Sequence, residues 1–191
     1  MKFLIAAGGT GGHITPGIAI ANKLKELGNE VIFLGTSTGM ETDLVPKAGY
    51  DLKIIRAKGL IRGFSLKNIE IIKCLFDGIS DVKKIIEKEK PDMIIGTGGY
   101  VTAPAIIAAL QKKIPCMIHE SNALPGKTTM WLSMKVDVIA LGFEDAKKRL
   151  PKAKNAVYTG NPTKMSGNVD KQKIKEQLAL KKPLVLVFGG S

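Results

Sequence analysis

Four glycines within five residues, followed by a histidine, make up the stretch best suited to bind a charged ligand, Gly8-Gly9-Thr10-Gly11-Gly12-His13. It follows an apolar run at residues 2–6 and precedes Thr15-Pro16, which is typical of a helix N-cap and the first helical residue. A strand, a glycine turn and a helix in that order leave free backbone N–H groups at the positive end of a helix dipole. Such an end binds anions, and a plain turn needs fewer glycines, so the stretch predicts a phosphate or diphosphate site.

Other short polar or glycine-rich segments follow predicted strands further along the chain. They are Gly98-Gly99-Tyr100, His119-Glu120-Ser121-Asn122 and Gly160-Asn161-Pro162. In an open parallel sheet, ligands bind outside the carboxyl ends of the strands. The convergence of these segments with the first glycine stretch therefore predicts one site at that edge of the sheet.

Apolar runs of strand length alternate with segments of helical periodicity along the whole chain. Continuous apolar runs indicate strands buried on both faces, and repeated strand–helix units indicate a doubly wound, Rossmann-like α/β fold. We predict a parallel sheet of about seven strands, at residues 2–6, 31–34, 52–55, 93–95, 116–118, 136–140 and 156–159. Helices are predicted at residues 15–27, 40–48, 69–86, 101–110 and 168–180, with a further strand at 184–188.

The chain is strongly basic, with a formal net charge of +12 over 191 residues. An acidic partner is therefore expected: nucleic acid, an anionic membrane surface or a phosphorylated substrate. Only 5% of the residues are aromatic, and no basic motif is interleaved with aromatic residues, so we expect no nucleic-acid binding. Two distant cysteines, Cys74 and Cys116, favour a reduced, cytosolic setting. No apolar stretch approaches the ~18 residues of a transmembrane helix.

The glycine stretch does not fit the dinucleotide fingerprint G-x-G-x-x-G. Ile14 stands at the position of the third glycine, and Gly35-Thr36 stands where an acidic residue would hold a ribose. A nicotinamide or flavin enzyme is therefore disfavoured, and no Walker motif is present. No carboxylate pair has the spacing of metal ligands, so we expect neither a cofactor nor a bound metal.

Taken together and in order, the motifs resemble those in the N-terminal half of the MurG family, the bacterial glycosyltransferases of peptidoglycan synthesis. The matching segments are residues 8–13, 44–49, 98–101, 119–122, 160–162 and 189–191. The resemblance implies an inverting transfer of N-acetylglucosamine from UDP-N-acetylglucosamine to lipid I, the undecaprenyl-diphospho-muramoyl-pentapeptide, which gives lipid II. Two alternatives stay open: another GT-B glycosyltransferase with a lipid acceptor, and a non-catalytic acceptor-binding or membrane-recruiting subunit whose catalytic half is a separate chain.

The resemblance also implies a domain arrangement, the N-terminal domain of a GT-B enzyme with its active site facing a second domain. We expect an acceptor-binding domain at residues 1–163, a linker and helix at 164–182, and the first strand and turn of a truncated nucleotide-sugar domain at 183–191. Because most donor contacts would then be absent, the isolated chain is expected to fold without being catalytically active.

Site residues are carried over from the resemblance by position. Thr10, Gly11 and Gly12 would touch the donor, Asn122 its sugar, and Ser191 the nucleotide. Lys164 replaces an arginine of the family, which keeps the charge but loses the bidentate geometry. The second glycine turn completes the expected substrate-binding set with Gly98, Gly99 and Tyr100.

Displacement at an anomeric carbon needs a base for the attacking hydroxyl. His13 is the first candidate, because its ordinary pKa lies near the working pH and it ends the glycine stretch; a purely structural role in fixing the loop is the alternative. Glu120 is the reserve base, and His119 is expected to be a packed, loop-bracing histidine.

Residues 53–76 combine basic and apolar side chains. Lys53, Arg56, Lys58, Arg62 and Lys67 occur with no acidic residue up to position 67. Apolar residues lie between them and are expected to dip into the lipid, among them Leu60, Ile61 and Phe64. Residues 69–86 then have the spacing of a helix that faces the core. The first part of this segment is predicted to rest on the anionic cytoplasmic face of the cell membrane, as a peripheral contact.

Overall fold

The structure is a computed structural model that describes residues 1–59, 67–163 and 170–179, together with Lys182 and Val185. The described residues form one seven-stranded sheet in the order β3-β2-β1-β4-β5-β6-β7, and all its neighbouring strands are parallel. The strands are β1 (Lys2–Ala7), β2 (Glu30–Gly35), β3 (Asp51–Ile54), β4 (Met93–Gly98), β5 (Cys116–Glu120), β6 (Val138–Leu141) and β7 (Ala156–Tyr158). The predicted α/β fold with seven strands is confirmed, whereas the strand expected at 184–188 lies outside the described residues.

Helices cover both faces of this sheet. They are α1 (Gly11–Glu26), α2 (Glu41–Lys47), α3 (Lys67–Glu89), α4 (Thr102–Lys112), α5 (Lys127–Leu132) and α6 (Lys171–Gln177), with a 3-10 helix at Glu144–Arg149. The sequence pattern did not predict α5 or the 3-10 helix. Both are only six residues long, which is too short for a helical periodicity to show.

Alternate residues of the central strands enter two separate cores. In β1, Leu4 packs in the core beneath α3 and α4, whereas Phe3 and Ile5 pack in the core beneath α1 and α2. Successive side chains of a strand point to opposite faces, so a strand covered on both faces must be apolar throughout. That requirement explains the continuous apolar runs in the sequence.

Helix α1 begins four residues earlier than predicted, at Gly11 rather than at Thr15. Thr10 is the N-cap, with extended backbone angles, and its carbonyl accepts hydrogen bonds from the N–H groups of His13 and Ile14, both at 3.1 Å. Pro16 lies inside the helix, where it removes one backbone hydrogen bond. The glycines after Thr10 therefore form the first turn of the helix itself, and His13 projects from that turn.

Strands β4 and β5 both extend further than predicted. Gly96 pairs with Ile118, Gly98 pairs with Ala7, and Glu120 pairs with Leu141, so residues expected to begin turns continue the sheet. A turn signal from glycine or polar residues is overridden here because neighbouring strands on both sides hold the backbone extended. Among the described residues, no helix is long and apolar enough to cross a bilayer.

Candidate active site

The two glycine turns meet at the carboxyl ends of the neighbouring strands β1 and β4. A Cβ atom built on Gly99 would collide with the carbonyl oxygen of Gly8, so the two backbones are in direct contact. Gly98 and Gly99 have φ angles of +119° and +75°, a region that glycine enters without steric cost. The second turn therefore folds closely against the first because neither carries a side chain at the contact.

His13 lies in the groove that these turns create, and its side chain is half-buried. A Cβ atom on Gly98 would lie 2.9 Å from His13 Cγ and Nε2. The Thr97 hydroxyl donates to the backbone carbonyl of His13 at 2.8 Å, and Thr10 Oγ1 lies 3.4 Å from His13 Nδ1. The histidine is thus fixed at its backbone and along one ring face, while its residual exposure leaves it available to a ligand.

The side chain of Tyr100 contacts the first glycine turn at Gly9. A Cβ atom on Gly9 would lie 3.1 Å from Tyr100 Cε1. Its ring therefore packs against the Gly9 backbone, and the predicted site residues Gly98, Gly99 and Tyr100 lie together with His13.

A cavity of about 510 Å³ opens beside these residues. One end is formed by His13, Gly98 and Gly99, and the walls come from α3, α4, α5 and the chain around Lys58. Apolar side chains line most of the wall, among them Ile71, Ile72, Leu75, Pro104 and Trp131. A polar end next to an apolar channel suits an amphipathic ligand. The sequence did not point to Trp131, because it lies on the unpredicted helix α5.

Glu120, the predicted reserve base, has both carboxylate oxygens occupied. Oε1 accepts from the backbone N–H of Asn122 at 3.0 Å and from Asn122 Nδ2 at 2.8 Å. Oε2 accepts from the N–H of Gly126 at 2.9 Å and from the hydroxyl of Thr129 at 2.7 Å. This carboxylate, only 5% exposed, holds the loop between β5 and α5 in shape.

Asn122 gains a defined orientation from that contact. One N–H of its Nδ2 group donates to Glu120, so the side-chain oxygen and the second N–H can face a ligand. Asn122 is exposed and does not line the cavity, but Gly126 and Thr129, which share Glu120 with it, do. The loop therefore connects the two parts of the candidate site.

His119 is packed, as the sequence predicted, with 2% of its surface exposed. Burial lowers its pKa below the ordinary value of 6.5, and the nearby Gly160 backbone and Glu120 only partly offset that effect. Ser121 Oγ lies 3.4 Å from His119 Nδ1, and Asn161 Nδ2 donates to the Ser121 carbonyl at 3.1 Å. The motifs that end β5 and β7 therefore brace each other beside the site.

A buried carboxylate that the sequence did not indicate supports the first glycine turn. Glu41, at 0% exposure, accepts from the N–H of Gly9 at 3.0 Å and from the N–H and hydroxyl of Thr36 at 2.9 and 2.8 Å. Burial opposes ionisation of Glu41, but these hydrogen bonds outweigh it, so its pKa lies below the ordinary value. The carboxylate is ionised at neutral pH.

The basic segment predicted to face a membrane is partly neutralised by α3. Arg56 donates to both oxygens of Asp81, at 2.8 and 2.7 Å, and lies 3.3 Å from Asp77. Lys58 lies 3.8 Å from Glu70. Arg56 therefore pins the chain after β3 to α3 rather than offering a free charge. A sequence window over residues 53–67 could not show these partners, because all three follow later in the chain.

The predicted site residues divide into three groups. His13, Gly98, Gly99 and Tyr100 lie together at the polar end of the cavity, while Thr10, Gly11 and Gly12 lie beside it at the start of α1. Asn122 belongs to the adjoining loop, and Glu120, the last residue of β5, holds that loop. The other two predicted residues, and the apolar residues expected to dip into a membrane, lie outside the described residues: Lys164, Ser191, Leu60, Ile61 and Phe64. Within the described ranges, no cluster of three or more His, Cys, Asp or Glu side chains could hold a metal ion.

Comparison with known proteins finds a family and relatives that match this chain. The N-terminal domain of glycosyltransferase family 28 matches residues 3–141. Curated relatives from Acetivibrio thermocellus and Ruminiclostridium cellulolyticum are 42% and 44% identical over 100% of this chain, which covers 53% and 54% of their lengths. Both are named UDP-N-acetylglucosamine--N-acetylmuramyl-(pentapeptide) pyrophosphoryl-undecaprenol N-acetylglucosamine transferase. The chain thus spans about half the length of the curated relatives it matches.

Solved structures show the same relationship. The crystal structure of Acinetobacter baumannii MurG matches with a TM-score of 0.71 and 29% identity, over 96% of this chain and 50% of that one. The UDP complex of S. aureus MnaA shares the fold, with a TM-score of 0.64 and 18% identity over 95% of this chain and 52% of that one. The predicted resemblance to the MurG family and the predicted N-terminal GT-B fold are confirmed. Since the family match spans most of the chain, the protein belongs to glycosyltransferase family 28.

Proposed function

We propose that the protein transfers N-acetylglucosamine from UDP-N-acetylglucosamine to lipid I, which gives lipid II, the precursor of peptidoglycan. The observation that carries this proposal is the identity of about 42% along the entire chain to transferases named for that reaction. Residues 1–163 would be the acceptor-binding domain, followed by a linker at 164–182 and the beginning of a nucleotide-sugar domain at 183–191.

The shape of the site supports an acceptor with a polar head and a lipid tail. His13 and the glycine turns offer backbone N–H groups and an imidazole at one end of the cavity, and α3 and α5 offer an apolar wall at the other. A muramoyl sugar with its diphosphate fits the polar end, which His13, Gly98 and Gly99 form. The first isoprene units of a polyprenyl chain would pack against the apolar wall formed by α3 and α5.

His13 is the base in the proposed reaction. The muramoyl hydroxyl oxygen attacks the anomeric carbon of the donor sugar while the bond from that carbon to the diphosphate oxygen breaks. UDP leaves, and the imidazole takes the hydroxyl proton. Glu120 is assigned to holding the loop rather than to proton transfer, because its four hydrogen bonds leave neither oxygen free.

The remaining site residues would serve the donor. Asn122 would bind the donor sugar through its side-chain amide, whose oxygen and second N–H are not used by the bond to Glu120. Thr10, Gly11 and Gly12 would contact the donor from the start of α1. Lys164 and Ser191 are proposed to complete the nucleotide side.

The lipid acceptor requires a protein that reaches the cytoplasmic face of the cell membrane, and an exposed apolar surface beside the cavity suits that contact. Ile72 and Phe76 are one turn apart on α3 and are 52% and 67% exposed, and Trp131 on α5 is 51% exposed. Lys127 lines the cavity, and the Lys135 ammonium lies 5.7 Å from the Trp131 ring centroid. Apolar side chains surrounded by lysines are typical of peripheral binding to anionic lipid.

Transfer is tested with the full-length gene product, labelled UDP-N-acetylglucosamine and a lipid I analogue with a shortened prenyl chain. The expected product is the disaccharide lipid, and no transfer by the unmodified protein would refute the proposed reaction. His13→Ala is expected to lower kcat by roughly 100-fold, the scale of a lost general base, with little change in Tm. Near-normal kcat in this variant would remove His13 from the role of base, and a large fall in Tm would favour the purely structural role.

Membrane contact is tested by co-sedimentation with vesicles that contain anionic lipid. Phe76→Ser together with Trp131→Ala is expected to weaken binding severalfold at low and high salt, because the apolar part of the contact is not screened. Leu27→Ala is the matched control, since Leu27 is also 67% exposed but lies at the end of α1. Equal binding of the control and the double variant would place the membrane contact elsewhere on the protein.

A further inference from the structure

Glu41 is the buried carboxylate nearest the candidate site whose role the proposed reaction leaves open. It occupies the first turn of α2 and lies between the ends of β1 and β2, with no exposed surface. Its two oxygens face three hydrogen-bond donors: Oε2 takes the N–H of Gly9, and Oε1 takes the N–H and the hydroxyl of Thr36. The side chain therefore ties the first glycine turn to the end of the neighbouring strand.

Three glycines leave the space that this side chain fills. A Cβ atom would lie 2.9 Å from Glu41 Oε1 if built on Gly8 and 2.5 Å from Glu41 Cγ if built on Gly35. On Gly39 it would collide with the carboxylate itself. Since real Cβ atoms do not approach other atoms so closely, the packing is an observation separate from the hydrogen bonds. Both confine the carboxylate to one position.

Gly9 connects the confined carboxylate of Glu41 to the candidate site, because its N–H donates to that carboxylate. Its φ angle is +90°, and the chain turns there from β1 toward Thr10, the N-cap of α1. The direction of this turn sets where the N–H groups of Gly11 and Gly12 and the ring of His13 stand. One side of Gly9 is held by Tyr100, at 3.1 Å from a built Cβ atom, and Glu41 holds its N–H.

We propose that Glu41 is a positioning residue that holds the glycine turn of β1 so that His13 and the start of α1 meet the substrate correctly. The proposal rests on the proposed function for its kinetic consequences. It does not make Glu41 a catalytic residue, because a fully buried carboxylate bound to three protein donors does not touch substrate.

Glu41→Gln in the full-length gene product is the main test, since glutamine keeps the size of the side chain. If the glutamine oxygen accepts the hydrogen bonds from Thr36, the NH₂ group of the glutamine faces the N–H of Gly9. Both of these groups are donors, so the hydrogen bond that holds Gly9 is lost. We expect kcat/KM to fall by about 10- to 100-fold, the effect of a displacement of roughly 1 Å in a site.

Thr36→Val is the matched control. It removes one hydrogen bond from the same carboxylate but leaves the contacts of Glu41 with the N–H groups of Gly9 and Thr36. We expect a fall in Tm comparable with that of Glu41→Gln but kcat/KM within about threefold of the unmodified protein. Equal kcat/KM for the two variants would reduce Glu41 to a stabilising residue and overturn the proposal.

Two further measurements distinguish positioning from stability. Because Glu41 acts in part through His13, the double variant Glu41→Gln/His13→Ala should lose less activity than the product of the two single losses; losses that multiply in full would overturn the proposal. Hydrogen exchange of the peptide that contains Gly9, measured without substrate, should accelerate in Glu41→Gln and not in Thr36→Val. Unchanged exchange overturns the proposal even where no transfer is detected, whereas absent transfer by the unmodified protein refutes only the proposed function.

Discussion

Gly98→Ala should show whether the position of His13 affects kcat independently of the stability of the fold. Gly98 has a φ angle of +119°, and a methyl group at this residue would press directly on the imidazole of His13. Gly28 provides a matched control, because its φ angle is +78° and nothing lies within 4 Å of a built Cβ atom. The same substitution therefore adds backbone strain at both positions but displaces a side chain at only one.

The size of each effect follows from the geometry. A non-glycine residue at positive φ costs about 1–3 kcal/mol, and at this chain length about 2–4 °C of Tm is lost for each kcal/mol. Both variants should therefore melt several degrees lower. Beyond that, the new methyl carbon would lie 2.9 Å from His13 Cγ, whereas carbon atoms in contact are about 3.5–4.0 Å apart. The ring must retreat by roughly 1 Å, a displacement that can lower kcat by about 100-fold.

The assay is sugar transfer by the full-length gene product, with Tm measured on the same preparations. Gly28→Ala is expected to keep near-normal kcat at 25 °C despite its lower Tm, while Gly98→Ala loses most of its kcat at a similar Tm. If the two variants have the same kcat, the position of the His13 ring against Gly98 does not matter for the reaction. That result would refute the assignment of His13 as base.

Two predictions concern the pH dependence of Tm and can be tested on the chain whose sequence is given. Burial lowers the pKa of His119 below 6.5, so the unfolded chain binds a proton more readily and stability falls as pH drops below that value. Tm should therefore fall more between about pH 7.5 and pH 5.5 in the parent than in His119→Gln, and parallel curves would contradict this. The hydrogen bonds from Arg56 hold the pKa of Asp81 below its ordinary 3.8, so this pair stabilises the fold above that pH and loses its effect in acid. Arg56→Gln should lower Tm slightly at pH 7, and this difference from the parent should shrink as the pH falls below 3.8; a difference that stays constant would contradict the reasoning.

The sheet could be predicted from sequence because each strand is apolar throughout and each is separated from the next by a helix or loop. These are local signals, and both ends of the neighbouring strands β1 and β2 were located to within one residue. Boundaries failed where the local signal and the sheet disagreed. Glycines 96 and 98 indicate a turn in isolation, but pairing with Ile118 and Ala7 keeps them in β4.

The site was only partly predictable for a different reason. Motifs at strand ends could be assigned to one edge of the sheet by topology alone, which is how His13 and Gly98 were brought together. The partner of a charged group is set by packing between distant segments, and no local pattern shows it. Arg56 therefore looked like a free cation although Asp81 neutralises it, and Glu120 looked like a free base although the loop that follows it occupies both oxygens.

The glycines of the first turn illustrate how a motif can carry information about residues outside it. Gly9 needs its positive φ angle, but Gly8 does not, because its φ is not in that region. Residue 8 has no room for a side chain, because the Glu41 carboxylate and the side chain of Val101 lie within 3.1 Å of the position that its Cβ would take. The same carboxylate restricts Gly35, at the end of the next strand. A glycine-rich turn of the kind that binds anions therefore also makes room for a buried carboxylate. It follows that Gly8→Ala should weaken the site by displacing Glu41, even though alanine is compatible with the backbone angles there.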